Sequence, residues 1–240
     1  MTSLNWSDYR AVLFDLDGVV TPTAIVHMRA WNEMFNAFLE SWDGEGDTAP
    51  YTDADYYAHV DGKPRYDGVR DFLTSRGIPA PQDRVVELGD RKNDAFNAVL
   101  ERDGVEAYPG SVLLLDHLRD LGLPLAVVSS SVNAPAVLEA AGLSDRFVTV
   151  VSGAVATELN LPGKPAPDTF LHAAEVLNAG AAESVVLEDA VSGVRAGAAG
   201  HFGAVVGVDR GAGPEALTAA GATLVVSDLA DLVPAQEGNA

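Results

Sequence analysis

The chain contains no cysteine. Disulfides, thiolate nucleophiles and cysteine-ligated zinc are therefore excluded. Positive charge is scarce: 15 lysines and arginines stand against 35 acids, a formal net charge of −20 over 240 residues. Such a surface repels nucleic acid and anionic membrane, so neither is expected as a partner. No uninterrupted apolar run is long enough to span a bilayer. The segment Met1 to Arg10 carries Asp8 and Arg10 and lacks the basic-then-apolar order of a signal peptide, so a cytoplasmic location is the default expectation. There is no fixed-period repeat. A short loose tail is expected from Pro234 to Ala240.

Lysine is rarer still. Lys63, Lys92 and Lys164 are the only three. A chain this acidic must concentrate positive charge wherever it holds phosphate. For any one lysine, however, a solvated surface position is the commoner use.

Short apolar runs mark candidate buried strands at 11–14, 125–128, 148–151, 185–187, 204–208 and 223–226. From residue 105 onward they alternate with helix-like segments at 111–121, 134–141, 168–177, 192–199 and 214–220. That alternation predicts an α/β fold with a mainly parallel sheet covered by helices on both faces. Residues 22–104 read as helical, with Ile25, Met28, Trp31, Phe35 and Phe38 on one apolar face. Further helices are expected at 53–60, 66–75 and 82–102, after an acidic loop at 44–52. The expected division is a core of 1–21 and 105–240 and a smaller helical domain of 22–104, lying over one end of the sheet.

Ligands of open parallel sheets bind at the carboxyl ends of the strands. The first run ends in Asp15-Leu16-Asp17-Gly18. Carboxylates two residues apart in extended chain face the same side. They suit magnesium, a hard cation, and a division into nucleophile and general acid/base. A plain acidic turn explains the tetrapeptide equally well. The second run ends in Ser129-Ser130-Ser131, an anion cradle or, more commonly, a helix cap. The run at 185–187 ends in Glu188-Asp189, a second acidic strand end that a cation would compensate or a polar turn would explain. Between them lies Gly163-Lys164-Pro165-Ala166-Pro167-Asp168, where prolines fix the approach to a helix and Lys164 offers a point charge for phosphate.

Acid pair, hydroxyl, lysine and second acid pair, in that order and each near a strand end, resemble the four motifs of the haloacid dehalogenase superfamily. Within it, the chain resembles the β-phosphoglucomutase-like family. That likeness rests on Asp15 to Thr21, Thr23-Ala24, His27, Arg29-Ala30-Trp31, Gly62, Arg65, Asp90 to Asp94, Tyr108-Pro109-Gly110, Lys164 to Asp168 and Leu187-Glu188-Asp189. It implies a doubly wound, Rossmann-like core with a mobile helical cap inserted after the first strand. It further implies a phosphorylated Asp15, Asp17 as general acid/base, and Ser129 and Lys164 on the transferring phosphate. Magnesium would be held by Asp15, Asp17, Asp189 and Glu188. Thr23 would sit at the hinge, and His27 and Lys92 would reach the substrate or Asp17. Arg65 would grip a second phosphate, with Gly62, Lys63, Ser130, Ser131 and Asn133 completing the substrate site.

The sequence departs from this pattern at Pro22, Ile25 and Val132, the last standing where such mutases carry a phosphate-binding lysine, and in a lengthened acidic loop over 43–53. The expected activity is interconversion of β-glucose 1-phosphate and glucose 6-phosphate by a monomer acting on a small phosphorylated sugar. The alternatives are a phosphatase of small sugar phosphates and a non-catalytic phosphosugar-binding protein.

Overall fold

A computed structural model describes residues 4–234; of the expected tail, only Pro234 falls within the described residues. Six parallel strands form one sheet in the order β3-β2-β1-β4-β5-β6. They are β1 (Ala11–Phe14), β2 (Leu125–Val128), β3 (Thr149–Val151), β4 (Ser184–Glu188), β5 (Ala204–Val208) and β6 (Leu224–Val226). Strands β1, β2, β4 and β5 are buried on both faces, which is why they read as unbroken Val, Leu and Ala runs. The expected strands at 148–151 and 223–226 each begin one residue later. Val148 is exposed beyond the start of the edge strand β3.

Among the described residues the α-helices are α1 (Thr23–Ser41), α2 (Asp53–Asp55), α3 (Arg65–Ser75), α4 (Gln82–Asp103), α5 (Pro109–Asp120), α6 (Ala134–Ala140), α7 (Gly153–Glu158), α8 (Asp168–Val176), α9 (Val191–Ala199) and α10 (Pro214–Ala220), beside short 3-10 turns. The α2 turn continues as a π-type turn, Tyr56–Val60. Apolar clusters cover both faces of the sheet. Phe14, Leu114, Leu118 and Val127 anchor one, and Leu13, Val128, Phe170 and Val186 the other. Each such fully buried side chain contributes about 1.5–3 kcal/mol. No helix among the described residues is long and apolar enough to cross a membrane.

The helical insert, α1 to α4, has its own core of Trp31, Phe35, Phe38, Phe72 and Leu88. One expectation needs correction. Ile25 does not lie on the buried face of α1; it is 52% exposed. The first turn of α1 leaves the sheet before the insert's core begins, so only Val26 and Ala30 there pack downward. The two connecting segments run side by side, with the Tyr108 N–H donating to the Val20 carbonyl at 3.0 Å.

Strand register decides which side chains meet. Phe14 lies opposite Val127 of β2 and Leu187 of β4. The next residue along each strand is therefore Asp15, Val128 and Glu188. Sheet order reverses at β1, so this is the crevice where ligands of doubly wound sheets bind.

Candidate active site

Lys164 reaches this point from the loop before α8. Its Nζ lies 2.5 Å from Asp15 Oδ1, 2.5 Å from Glu188 Oε1 and 2.9 Å from the Val128 carbonyl. Three donors thus meet three acceptors, above the Phe170 ring. Burial disfavours the Lys164 charge, but Asp15 and Glu188 outweigh it and hold the ammonium more firmly protonated than usual. Glu188 places its second carboxylate oxygen on the Ala190 N–H at 2.9 Å. Glu188, expected as a cation ligand, also faces Lys164 and orients it.

Asp17 is addressed from the insert. The Thr23 hydroxyl donates to its Oδ1, and His27 Nε2 lies 3.2 Å from the same oxygen. Ser129 Oγ donates to Oδ2 at 3.4 Å. His27 Nδ1 bonds to Lys92 Nζ, and the imidazole stacks on Phe96 at 4.0 Å. Burial first, then the Lys92 charge, pushes His27 down from its ordinary value. A neutral ring accepts from Lys92 at Nδ1, while Nε2 lies near Asp17 without a hydrogen bond to it. Burial opposes ionisation of Asp17, but His27, Thr23 and Lys92 outweigh it and bring the carboxyl to about 2. Lys92 is itself pushed down by burial to about 7.

The other expected residues line one cavity of about 590 Å³ between insert and sheet. Arg65 Nη1 makes only long contacts, 3.4 Å to the Gly89 carbonyl and 3.4 Å to Asp90. Lys63 lines the cavity with its ammonium paired to Asp71. Ser130 Oγ donates to the Gly62 carbonyl at 2.9 Å. Ser131 Oγ accepts from the Asn133 N–H at 3.1 Å, and Asn133 Nδ2 donates to Asn93 Oδ1 at 2.7 Å. Val132 also lines the cavity and is 42% exposed, so its side chain supplies no charge there.

Asp189 lies beside the turn after Asp17. Gly18 adopts φ +87°, and a Cβ on it would stand 1.8 Å from Asp189 Oδ2. Only glycine permits that approach. Asp61, which sequence reasoning missed, brings a further carboxylate from the insert. Burial, then Glu188, pushes it up to about 7. Asp189 is held well above its ordinary value by burial and by the charges of Asp61, Glu188, Asp15 and Asp17. Asp15 is raised in the same direction, by burial first, against the pull of Lys164. These crowded acids fit a hard divalent cation. Among the described residues no three acidic or imidazole groups form a closed ligand set. Magnesium does not need one, because it keeps several waters and uses one or two carboxylates. Asp15 and Asp189 are carboxylates that could hold it.

A haloacid dehalogenase-like hydrolase family model matches residues 9–201. The chain belongs to the haloacid dehalogenase-like hydrolase family. It is an enzyme of the phosphotransfer type that this family comprises. It is 47% identical over 240 residues to a β-phosphoglucomutase of Mycobacterium tuberculosis, covering 93% of this chain and 91% of that one. It is 31% identical over 195 residues to hexitol phosphatase A of Escherichia coli, covering 79% of each. The crystal structure of a β-phosphoglucomutase from Clostridium difficile superposes with a TM-score of 0.77 at 25% identity, covering 94% of this chain and 93% of that one. Within the haloacid dehalogenase-like family, then, both mutases and phosphatases resemble this chain.

Proposed function

We propose that this protein is a mutase interconverting β-glucose 1-phosphate and glucose 6-phosphate, with Asp15 as phosphoryl carrier and the helical insert as a closing cap. The observation that carries the reading is a pair of cationic groups on different elements, one buried at Asp15 and one on the cavity wall. Lys164 stands at Asp15, and Arg65 lines the cavity from the insert with only long contacts of its own. A hydrolase needs one phosphate grip. A sugar bisphosphate that must turn around needs two.

The reaction begins from an aspartyl phosphate, made when an Asp15 Oδ bonds to a phosphorus of a sugar bisphosphate as the sugar oxygen–phosphorus bond breaks and that oxygen takes a proton from Asp17. Asp17 accepts the proton of the attacking sugar hydroxyl as that oxygen bonds to phosphorus and the Asp15–phosphorus bond breaks. The bisphosphate then presents its other phosphate to Asp15, and Asp17 returns the proton to the departing sugar oxygen. Lys164 and Ser129 hold the transferring group, while Arg65 and Lys92 hold the far end. Asp15, Asp189 and the Asp17 carbonyl would hold magnesium, which would supply charge compensation for the phosphoryl group.

Arg65→Ala is expected to reduce mutase turnover by at least about a hundredfold while leaving phosphorylation of Asp15 by acetyl phosphate in place. Unchanged turnover would remove the assignment. A phosphatase reading is favoured by Val132, because the core side lacks a second cation there. Phosphorus NMR of a reaction started with β-glucose 1-phosphate and a trace of bisphosphate separates the two. Glucose 6-phosphate is the expected product, and inorganic phosphate as the main product would make the protein a hydrolase.

A further inference from the structure

The insert meets the sheet's carboxyl end through the loop at 61–64, and three of the four motifs have a neighbour in contact with that loop. Ser130 follows Ser129 and donates to the Gly62 carbonyl at 2.9 Å. Ser192, three residues after Asp189, donates to the Asp61 carbonyl at 2.9 Å. Gly163 precedes Lys164, and a Cβ there would stand 2.4 Å from Pro64 Cγ. The loop is thus held on three sides of Asp15. Gly62 itself has φ +68°, and a Cβ on it would stand 2.2 Å from Ser192 Oγ.

Ser192 stands outside the lining of the cavity, whereas Gly163 and Pro64 both belong to it. Serine in the first turn of a helix ordinarily bonds to local backbone. Ser192, in the first turn of α9, reaches across the interface instead. Gly163 has an ordinary negative φ, so its missing side chain serves the approach of Pro64 and no backbone need.

We infer that Ser192 and Gly163 are positioning residues for cap closure, and that they set how the phosphoryl group on Asp15 divides between sugar and water. The division rests on the mutase reading above; the closure does not. Neither residue touches the reacting atoms. Each shifts the balance between closed and open forms, and water reaches the aspartyl phosphate in the open form. There the water oxygen bonds to phosphorus as the Asp15–phosphorus bond breaks. The water proton passes to Asp17, leaving an Asp15 carboxylate and inorganic phosphate. In the closed form the sugar oxygen takes the same place.

The absence of cysteine allows a clean test. Glu40→Cys on α1 and Glu139→Cys on α6, both exposed, would carry a donor and an acceptor dye. In that background, Ser192→Ala and Gly163→Ala should each lengthen the dye separation in the ligand-free protein. Each should also raise the ratio of inorganic phosphate to glucose 6-phosphate, by about threefold to tenfold for the lost hydrogen bond. Ser192→Thr should restore both, and circular dichroism melts identify any variant that fails to fold. Separation and ratio both at wild-type values, in folded variants, would overturn the inference. If the wild type forms no aspartyl phosphate, the mutase reading and the division fall together. The dye separation then decides closure alone, with lengthening supporting it and no change overturning it.

Discussion

Lys164 carries more of the site than any other side chain, because it neutralises two carboxylates that would otherwise face each other in a dry crevice. Its side chain is 1% exposed, and those of Asp15 and Glu188 are 10% and 1% exposed. Removing one partner of a buried ion pair leaves an uncompensated charge, which typically costs about 3–5 kcal/mol. Lys164→Met should therefore lower ligand-free stability by about that amount in urea titrations, and should abolish labelling of Asp15 by acetyl phosphate. Retained labelling would show that Lys164 serves packing alone. Asp15, Asp17 and Ser129 stood out in the sequence because they follow apolar runs whose ends a parallel sheet brings together, and Lys164 because its proline-flanked loop falls in motif order between Ser129 and Glu188. The partnership of Glu188 with Lys164 was not legible. It depends on the register that sets Glu188 one step beyond Leu187 beside β1. Asp61 left no signal at all, since its approach to Asp189 depends on how the insert lies over the sheet.

The helical insert shows the same contrast between local pattern and long-range contact. The periodic apolar residues of α1 were readable, whereas the ends of α3 and α4 are set in the structure by Pro64, Pro81 and Gly104. The short α7 was not readable, because six residues carry too little periodicity, although Ser152 caps it by accepting from the Val155 N–H. The acidic loop at 43–53 read as a surface insertion. In the structure it is pinned by Arg76, which donates to Asp47 at 2.9 Å, Asp55 at 3.0 Å and the Ala49 carbonyl at 3.1 Å, and lies over the Phe72 ring. Burial opposes ionisation of Asp55, but the Thr52 hydroxyl, the Thr52 N–H and Arg76 outweigh it and lower its pKa. For an acid lowered on folding, the stabilisation is complete above the ordinary carboxylate range. It is lost as pH falls through the lowered value. Arg76→Ala should thus cost about 1–2 kcal/mol at pH 7, and distinctly less at a pH below the lowered value of Asp55. Urea titrations at the two pH values measure the difference. An equal loss at both would assign Arg76 to packing on Phe72 alone.

At the scale of the whole molecule, charge separates two effects that a single melting curve would merge. A net charge of −20 on one chain repels itself, and screening at an ionic strength of about 0.1 M confines that repulsion to about 10 Å. Sodium chloride should therefore raise the melting temperature gradually and without saturation at low millimolar concentration. Magnesium adds a specific component. The acids around Asp189 are buried and crowded, and a ligand that binds only the folded form stabilises it by RT ln(1 + [L]/Kd), about 2.7 kcal/mol at a hundredfold excess over Kd. At constant ionic strength, magnesium should raise the melting temperature along a saturable curve. Asp189→Asn should abolish that curve while leaving the sodium chloride response intact. The same variant separates general from local electrostatics, because it changes the net charge by only one unit. If magnesium and sodium chloride at equal ionic strength shift the wild type equally, the crowded carboxylates hold no cation, and closure of the insert over them must be stabilised by protons instead.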